Sequence, residues 1–284
     1  MIADVLSDEQ IACESKLFNE MMEECCPNFN KDDKSTWVNR SMPDLFGKAI
    51  QGSTNNMAHS DWMWFLRLCP QMKDIFRNVH GTEDLCVSFD GFSLDWNVEN
   101  RSKSWLHEDQ ALNISPHVFS VQGTYNAVAV TETSRGFCCV PGSHLTAGRR
   151  HANRLVKPKK NYVLLEEDSP EHDNSVKLLV PSNSVVLWNS FLLHANECGT
   201  ANNDEGWNRR SAFICMMPKV IRPADVLVAK IQAYRNGYQG THWANHWTRK
   251  MNPYPRNKYL LPLRDCTIKF DEGGLIPPDR FELF

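Results

Sequence analysis

Apolar positions along this chain change their period twice, dividing it into a helical front, a β-rich middle and a helical tail. Ser7-Asp8-Glu9-Gln10 has the form of a helix-capping box. Behind it Ile11, Leu17, Phe18, Met21 and Met22 form an apolar stripe at helical spacing as far as Pro27. A second helix is predicted from Ser60 or Asp61 through Trp62, Phe65, Leu66 and Leu68 towards Pro70, and a third from Gln71 to a stop at Gly81. Short apolar runs bounded by Gly, Pro and Asn then predict strands over 85–89, 117–130, 137–140, 176–180, 184–188 and 209–218. A last helix is expected from Pro223-Ala224-Asp225 to Gly237, with proline at its start and glycine at its end. The expected fold class is mainly β with flanking helices, on a double-stranded β-helix core of the jelly-roll, cupin-like kind. Residues 1–83 would pack as a helical region on a core of 84–218, followed by a helix and aromatic tail over 219–284, one enlarged domain in all.

Candidate chemistry sits at Trp105-Leu106-His107-Glu108-Asp109-Gln110. On a strand alternate side chains share a face, so His107 and Asp109 project together and Glu108 turns away. A His-X-Asp tripeptide alone arises by chance in many proteins. A later apolar strand, Val185-Val186-Leu187-Trp188-Asn189-Ser190-Phe191-Leu192-Leu193, runs into His194. If it reaches the same point, two imidazoles and one carboxylate occupy one face of an octahedron and leave three positions open, the arrangement of non-haem Fe(II) oxygenases.

The order of the surrounding motifs, over roughly residues 84–218, resembles the phytanoyl-CoA dioxygenase family of Fe(II)/2-oxoglutarate-dependent oxygenases. The matching pieces are His107-Glu108-Asp109-Gln110 after a tryptophan, Val121-Gln122-Gly123, and the turn Pro141-Gly142-Ser143-His144. They continue with Leu187-Trp188-Asn189-Ser190 before His194, and with the strand that Arg209 opens. The resemblance implies that His107, Asp109 and His194 ligate iron, that 2-oxoglutarate and O2 are cosubstrates, and that an arginine of the last core strand anchors the distal carboxylate of 2-oxoglutarate. It implies a dioxygenase that hydroxylates a small molecule and releases succinate and CO2. Related halogenating enzymes carry Ala or Gly where Asp109 stands, so its carboxylate favours hydroxylation.

Two adjacent arginines, Arg209 and Arg210, compete as the anchor, and on a strand they face opposite ways. Arg209 is preferred because Ser211 shares its face and adds a hydroxyl to the guanidinium fork. Gln122 is a further candidate for contact with the cosubstrate; alternatively it is a barrel glutamine satisfied by backbone. The run Arg149-Arg150-His151, with Arg154 and Lys157-Pro158-Lys159-Lys160, reads as a solvated basic loop, or else as a lid or an anchor for an anionic substrate. Near the carboxyl end His242 and His246 stand four apart as in a zinc protease, but Trp243 replaces the general-base glutamate, so the segment is read as tail packing or substrate entrance.

With 31 basic against 34 acidic residues the net charge is -3, which gives no global pull towards nucleic acid or an anionic membrane. Ten cysteines are scattered without a Cys-X-X-Cys, and Cys138, Cys139 and Cys215 lie in apolar strands where a free thiol packs as a small hydrophobe, so a reducing, cytoplasmic setting is expected. No signal segment or membrane-length apolar stretch is visible. The expected partner is a small-molecule substrate, with oligomeric state open. Two alternatives remain: a protein- or nucleic-acid-modifying oxygenase with the same iron centre, and a binding protein in which the triad is vestigial.

Overall fold

The computed structural model of the chain describes residues 1–26, 28–37, 50–51, 57–96, 105–110, 119–152, 156–158, 162–197, 199–200, 206–235, 239–245 and 278–284. At the front, α1 (Asp8–Cys25) starts on the predicted capping box: the Ser7 hydroxyl accepts the Gln10 N–H, and the Gln10 side chain accepts the Ser7 N–H. The second helix, α2 (Asp61–Leu68), follows an N-cap at Ser60, and α3 (Pro70–His80) closes on Gly81 at φ 67°. Helix α3 begins one residue earlier than predicted because Pro70 is the first-turn proline of the new helix rather than a spacer.

The strands are β1 (Ile50–Gln51), β2 (Leu85–Val87), β3 (Phe92–Asp95), β4 (His107–Glu108), β5 (Val121–Asn126) and β6 (Gly136–Cys139). After α4 (Ala147–Ala152) come β7 (Val156–Pro158), β8 (Val163–Leu165), β9 (Val176–Lys177), β10 (Ser184–Asn189), β11 (His194–Glu197) and β12 (Arg209–Pro218). The chain continues into α5 (Ala224–Arg235), and α6 (Pro278–Phe281) lies near the carboxyl end. All pairings are antiparallel and make two sheets. One runs β1-β3-β12-β5-β10, with β2 also paired to β12; the other runs β7-β8-β4-β11-β6-β9. Two mostly antiparallel sheets with flanking helices are the coarse architecture expected from the apolar runs.

Helices α1, α2 and α3 cover the outer face of the first sheet. Phe18, Met22, Trp62, Trp64, Phe76 and Phe92 are fully buried there, in one apolar core with Ala212, Ile214 and Met216 of β12. Burying side chains of this size contributes about 1.5–3 kcal/mol each before chain entropy is subtracted. A Cβ on Gly123 would lie 2.8 Å from the Ile214 carbonyl oxygen of β12 and 3.1 Å from Phe76 Cζ of α3, so only glycine fits in β5 there. Arg210 belongs to this outer face. Its guanidinium meets the buried Glu14 carboxylate at 2.7 Å and lies over the Phe18 ring, while the Trp62 indole N–H donates to the other Glu14 oxygen at 2.7 Å.

Between the sheets lie Phe137, Val186, Trp188 and Phe213, with Val130 and Val180 bridged at the edge. The expected long strand over 117–130 is shorter in the described residues, where β5 begins at Val121; residues 117–118 lie outside them. Among the described residues no helix is long and apolar enough to cross a membrane. Seven described cysteines are free, Cys138, Cys139 and Cys215 among them as expected, while Cys25 is disulfide-bonded.

Candidate metal centre

His107 and His194 reach one point because β4 and β11 are paired antiparallel with these two residues directly opposite each other. Cross-strand partners project to the same face, and the imidazole centroids are 4.4 Å apart. Asp109 follows just beyond the two-residue strand β4, and its carboxylate turns back between the rings: Oδ1 is 3.5 Å from His107 Nε2 and Oδ2 is 3.2 Å from His194 Nε2. One donor atom from each of the three lies within 4.8 Å of the others, a separation at which they could hold a metal ion.

The protonation states suit a cation. His107 Nδ1 lies 3.0 Å from the Trp105 carbonyl and His194 Nδ1 lies 2.8 Å from the Leu192 carbonyl. A carbonyl only accepts, so both Nδ1 atoms carry a proton, and Nε2 is in each ring the nitrogen that faces the centre. Burial, and then His194 beside it, pushes His107 down to about 4, so it is neutral at pH 7. Burial works to raise the Asp109 carboxyl, yet His242, His107 and His194 around it hold it well below the usual carboxylate range. A neutral imidazole and an ionised carboxylate are the forms a metal ion requires.

Further contacts fix these groups. The Gln122 amide, from β5 in the facing sheet, donates to Asp109 Oδ2 at 3.1 Å, a side-chain partner the sequence did not offer for it, and Gln122 also lines the cavity. Trp105 stacks flat on the His107 ring, 4.0 Å away at 6°. His242 Nε2 donates to the Asp109 carbonyl at 2.8 Å. That contact brings the segment 239–245 to the centre; His246 lies outside the described residues. Outer partners of metal-ligating groups typically change metal affinity 10–100-fold. Gln122→Leu is therefore expected to weaken metal binding by about that factor, as read by competition with a chromophoric chelator; unchanged affinity would mean that the amide does not orient Asp109.

Glu108, between the two candidate ligands, faces the other way and is fully buried. Its Oε1 accepts from Arg150 Nε at 2.9 Å and Nη2 at 2.5 Å, and its Oε2 lies 2.8 Å from His151 Nε2. Arg150 also donates to Thr146 Oγ1 at 2.7 Å. For Arg150 this corrects the reading as part of a solvated loop or lid: it is 1% exposed and belongs to the core. Arg154, Lys159 and Lys160 lie outside the described residues. The sequence held one signal for the pair, a glutamate alternating inward on a strand, but its partner stands 42 positions away.

On the inner face of β12, Arg209 and Ser211 share a side, and Arg209 Nε donates to Ser211 Oγ at 2.9 Å. Arg209 is 1% exposed, and its Nη1 and Nη2 have no hydrogen-bond partner among the described residues. Asp95, opposite Arg209 in β3, pairs with Arg135 at 3.1 Å. Burial, and then the neighbouring Arg135, pulls the Arg209 guanidinium down to about 9 despite Asp95. A buried cation with two idle donor nitrogens is chemically suited to an anion.

The centre opens into a cavity of about 250 Å³, whose lining includes Trp105, Tyr162, Phe137, Trp188, Asp90 and Gln239 besides the three candidate ligands. No family model matches the chain. It is similar to "Ava biosynthesis cluster protein O" of Aspergillus versicolor, with 26% identity over 240 residues, covering 78% of this chain and 75% of that protein. Among solved structures it resembles EvdMO1, with 17% identity over 75% of this chain and a TM-score of 0.48; it spans 45% of the length of that chain. It also resembles SnoN, a non-haem α-ketoglutarate-dependent epimerase from nogalamycin biosynthesis, with 14% identity over 76% of this chain and 74% of that one and a TM-score of 0.46.

Proposed function

We propose that the chain is an Fe(II)- and 2-oxoglutarate-dependent dioxygenase, similar to the phytanoyl-CoA dioxygenase family and built on a double-stranded β-helix, that hydroxylates a C–H bond of a small molecule. The balance is substrate, 2-oxoglutarate and O2 in, and hydroxylated substrate, succinate and CO2 out. The observation that carries this reading is the convergence of His107, Asp109 and His194 from one sheet, combined with the buried guanidinium nitrogens of Arg209 on the other, which have no hydrogen-bond partner among the described residues. Two imidazoles and a carboxylate suit Fe(II) and leave positions free for a 2-oxo acid. A cavity of this size favours a small substrate over a macromolecule, and a relative encoded in a biosynthesis cluster fits the same picture.

The protein's own share of the work is binding, orientation and exclusion of water. His107, Asp109 and His194 hold the metal, Gln122 orients Asp109, and Arg209 with Ser211 pairs the distal carboxylate of the cosubstrate. The aromatic lining of Trp105, Tyr162, Phe137 and Trp188 keeps the chamber poor in water, which strengthens each of these electrostatic contacts. Bound iron with 2-oxoglutarate supplies the oxidising chemistry.

Anaerobic titration of the purified chain with Fe(II) and 2-oxoglutarate tests the proposal through the visible metal-to-ligand charge-transfer band. The wild type should develop the band. In Arg209→Ala, loss of a buried charge pair of about 2 kcal/mol or more should raise the 2-oxoglutarate concentration needed by at least about 30-fold. A folded, iron-binding wild type that gives no band with 2-oxoglutarate would refute the assignment.

A further inference from the structure

The cavity lining falls into two chemically distinct groups. Trp105 and Tyr162 meet edge to face at 6.0 Å, and both pack on the ring of His107. Phe137 and Trp188 continue the apolar surface past His194. The other group comes from two segments joined by a backbone hydrogen bond of 2.8 Å from Gly240 N–H to the Phe89 carbonyl, and it includes Asp90 and Gln239.

Both polar residues are short of donors. An ionised carboxylate accepts about four hydrogen bonds, yet among the described residues the Asp90 carboxylate receives one, from the Gly91 N–H at 2.8 Å. Arg67 is nearby, but its Nη2 donates to the Asp90 backbone carbonyl instead, at 2.7 Å. No cation among the described residues forms an ion pair with that carboxylate, and burial raises the Asp90 carboxyl to about 6. Gln239 is 7% exposed, and its buried Oε1 accepts no hydrogen bond from any described residue. A buried acceptor left unpaired, as Gln239 Oε1 is among the described residues, costs about 1–3 kcal/mol, and the half-buried Asp90 also lines the cavity, so a ligand that brings donors is selected over one that does not.

We infer that the substrate carries an apolar or ring-bearing portion, held on Trp105 and Tyr162, and a hydrogen-bond donor, hydroxyl or amine, received by Asp90 and Gln239. This rests on the reading of the cavity as the substrate chamber of an oxygenase and narrows its substrate class. Selection works through the scarcity of donors among the described residues: a hydrocarbon of the same shape brings neither acceptor a donor.

The test uses three probes of nearly equal size, benzylamine, benzyl alcohol and toluene, titrated into the full chain and followed by ligand-observed NMR. The amine or the alcohol should bind about five-fold or more tightly than toluene, the equivalent of one satisfied acceptor. Preference for the amine identifies an ammonium as the partner of Asp90, and preference for the alcohol a hydroxyl. In Asp90→Ala/Gln239→Ala the advantage over toluene should disappear. Asp90→Asn, which keeps the shape of the side chain, should lose the advantage of the amine and guards against a fold defect in the double variant. Equal binding of toluene, an advantage that survives in both variants, or no binding of any probe at millimolar concentration would each overturn the inference. The anaerobic 2-oxoglutarate titration on the same preparation separates the two ideas. A charge-transfer band without donor preference sinks only the substrate class, whereas donor preference without a band sinks only the oxygenase reading.

Discussion

Asp109→Ala should leave a folded chain that binds Fe(II) poorly and consumes no measurable 2-oxoglutarate. The carboxylate is the only anionic member of the three, and it lies within 3.5 Å of both imidazole Nε2 atoms, so without it only two imidazoles face the metal, with no compensating negative charge. The loss should exceed the 10–100-fold typical of removing an outer hydrogen-bond partner of a ligand, because here the ligand itself goes. Metal content after dialysis and succinate formation are the two readouts. The fold should survive, since the contact from His242 is to the Asp109 backbone carbonyl and β4 keeps its pairing with β8 and β11. Asp109→Ala protein that retains iron and full turnover would remove the carboxylate from the mechanism.

Glu108→Ala, one position away, should instead unfold the protein more readily without removing a candidate ligand. The substitution strands Arg150, 1% exposed, with Thr146 and a longer 3.4 Å contact to Glu171 as its remaining partners. Breaking a buried pair by removing one member costs about 3–5 kcal/mol. In a chain of this size that lowers the melting temperature on the order of 10 °C. The double variant Glu108→Leu/Arg150→Met should recover much of the loss, because two apolar side chains leave no buried charge behind. Thermal unfolding of the three proteins decides the matter: Glu108→Ala within about 1 kcal/mol of wild type would place the pair among the weak ones.

What was legible in the sequence was whatever depends on near neighbours. The cap at Ser7, the stop at Gly81 and the start of α5 are local chemistry, and each stands where the residues predicted it. Alternation separated Arg209 from Arg210, and the second proves to be tied to Glu14 of α1, 196 positions away. Alternation also turned Glu108 away from His107, but it could not show what received it. The strand β3 escaped notice because Phe92-Ser93-Leu94-Asp95 is short and buried throughout, and the ion pair of Asp95 with Arg135 spans 40 positions. Gln122 was singled out correctly as an interior amide, whereas its partner, Asp109, depends on how the two sheets face each other. The role of segment 239–245 was harder still: its aromatic content suggests packing, and only the return of the chain from α5 brings His242 to Asp109.

The opposition of His107 and His194 has a consequence for quality control of the purified protein. Strand β11 is held in place by pairing His194 with Cys139 as well as with His107, and by the Leu193 N–H donating to Ser143 Oγ at 2.9 Å. A slip by one residue would present Leu193 or Ala195 to the chamber and rotate the imidazole into the opposite apolar layer. Such a slipped isomer would have almost the same strand content and hydrodynamic size, so circular dichroism and gel filtration would pass it as native. Stoichiometric metal uptake reports alignment to the single residue, which makes the iron-to-protein ratio a more discriminating criterion of correct folding than either.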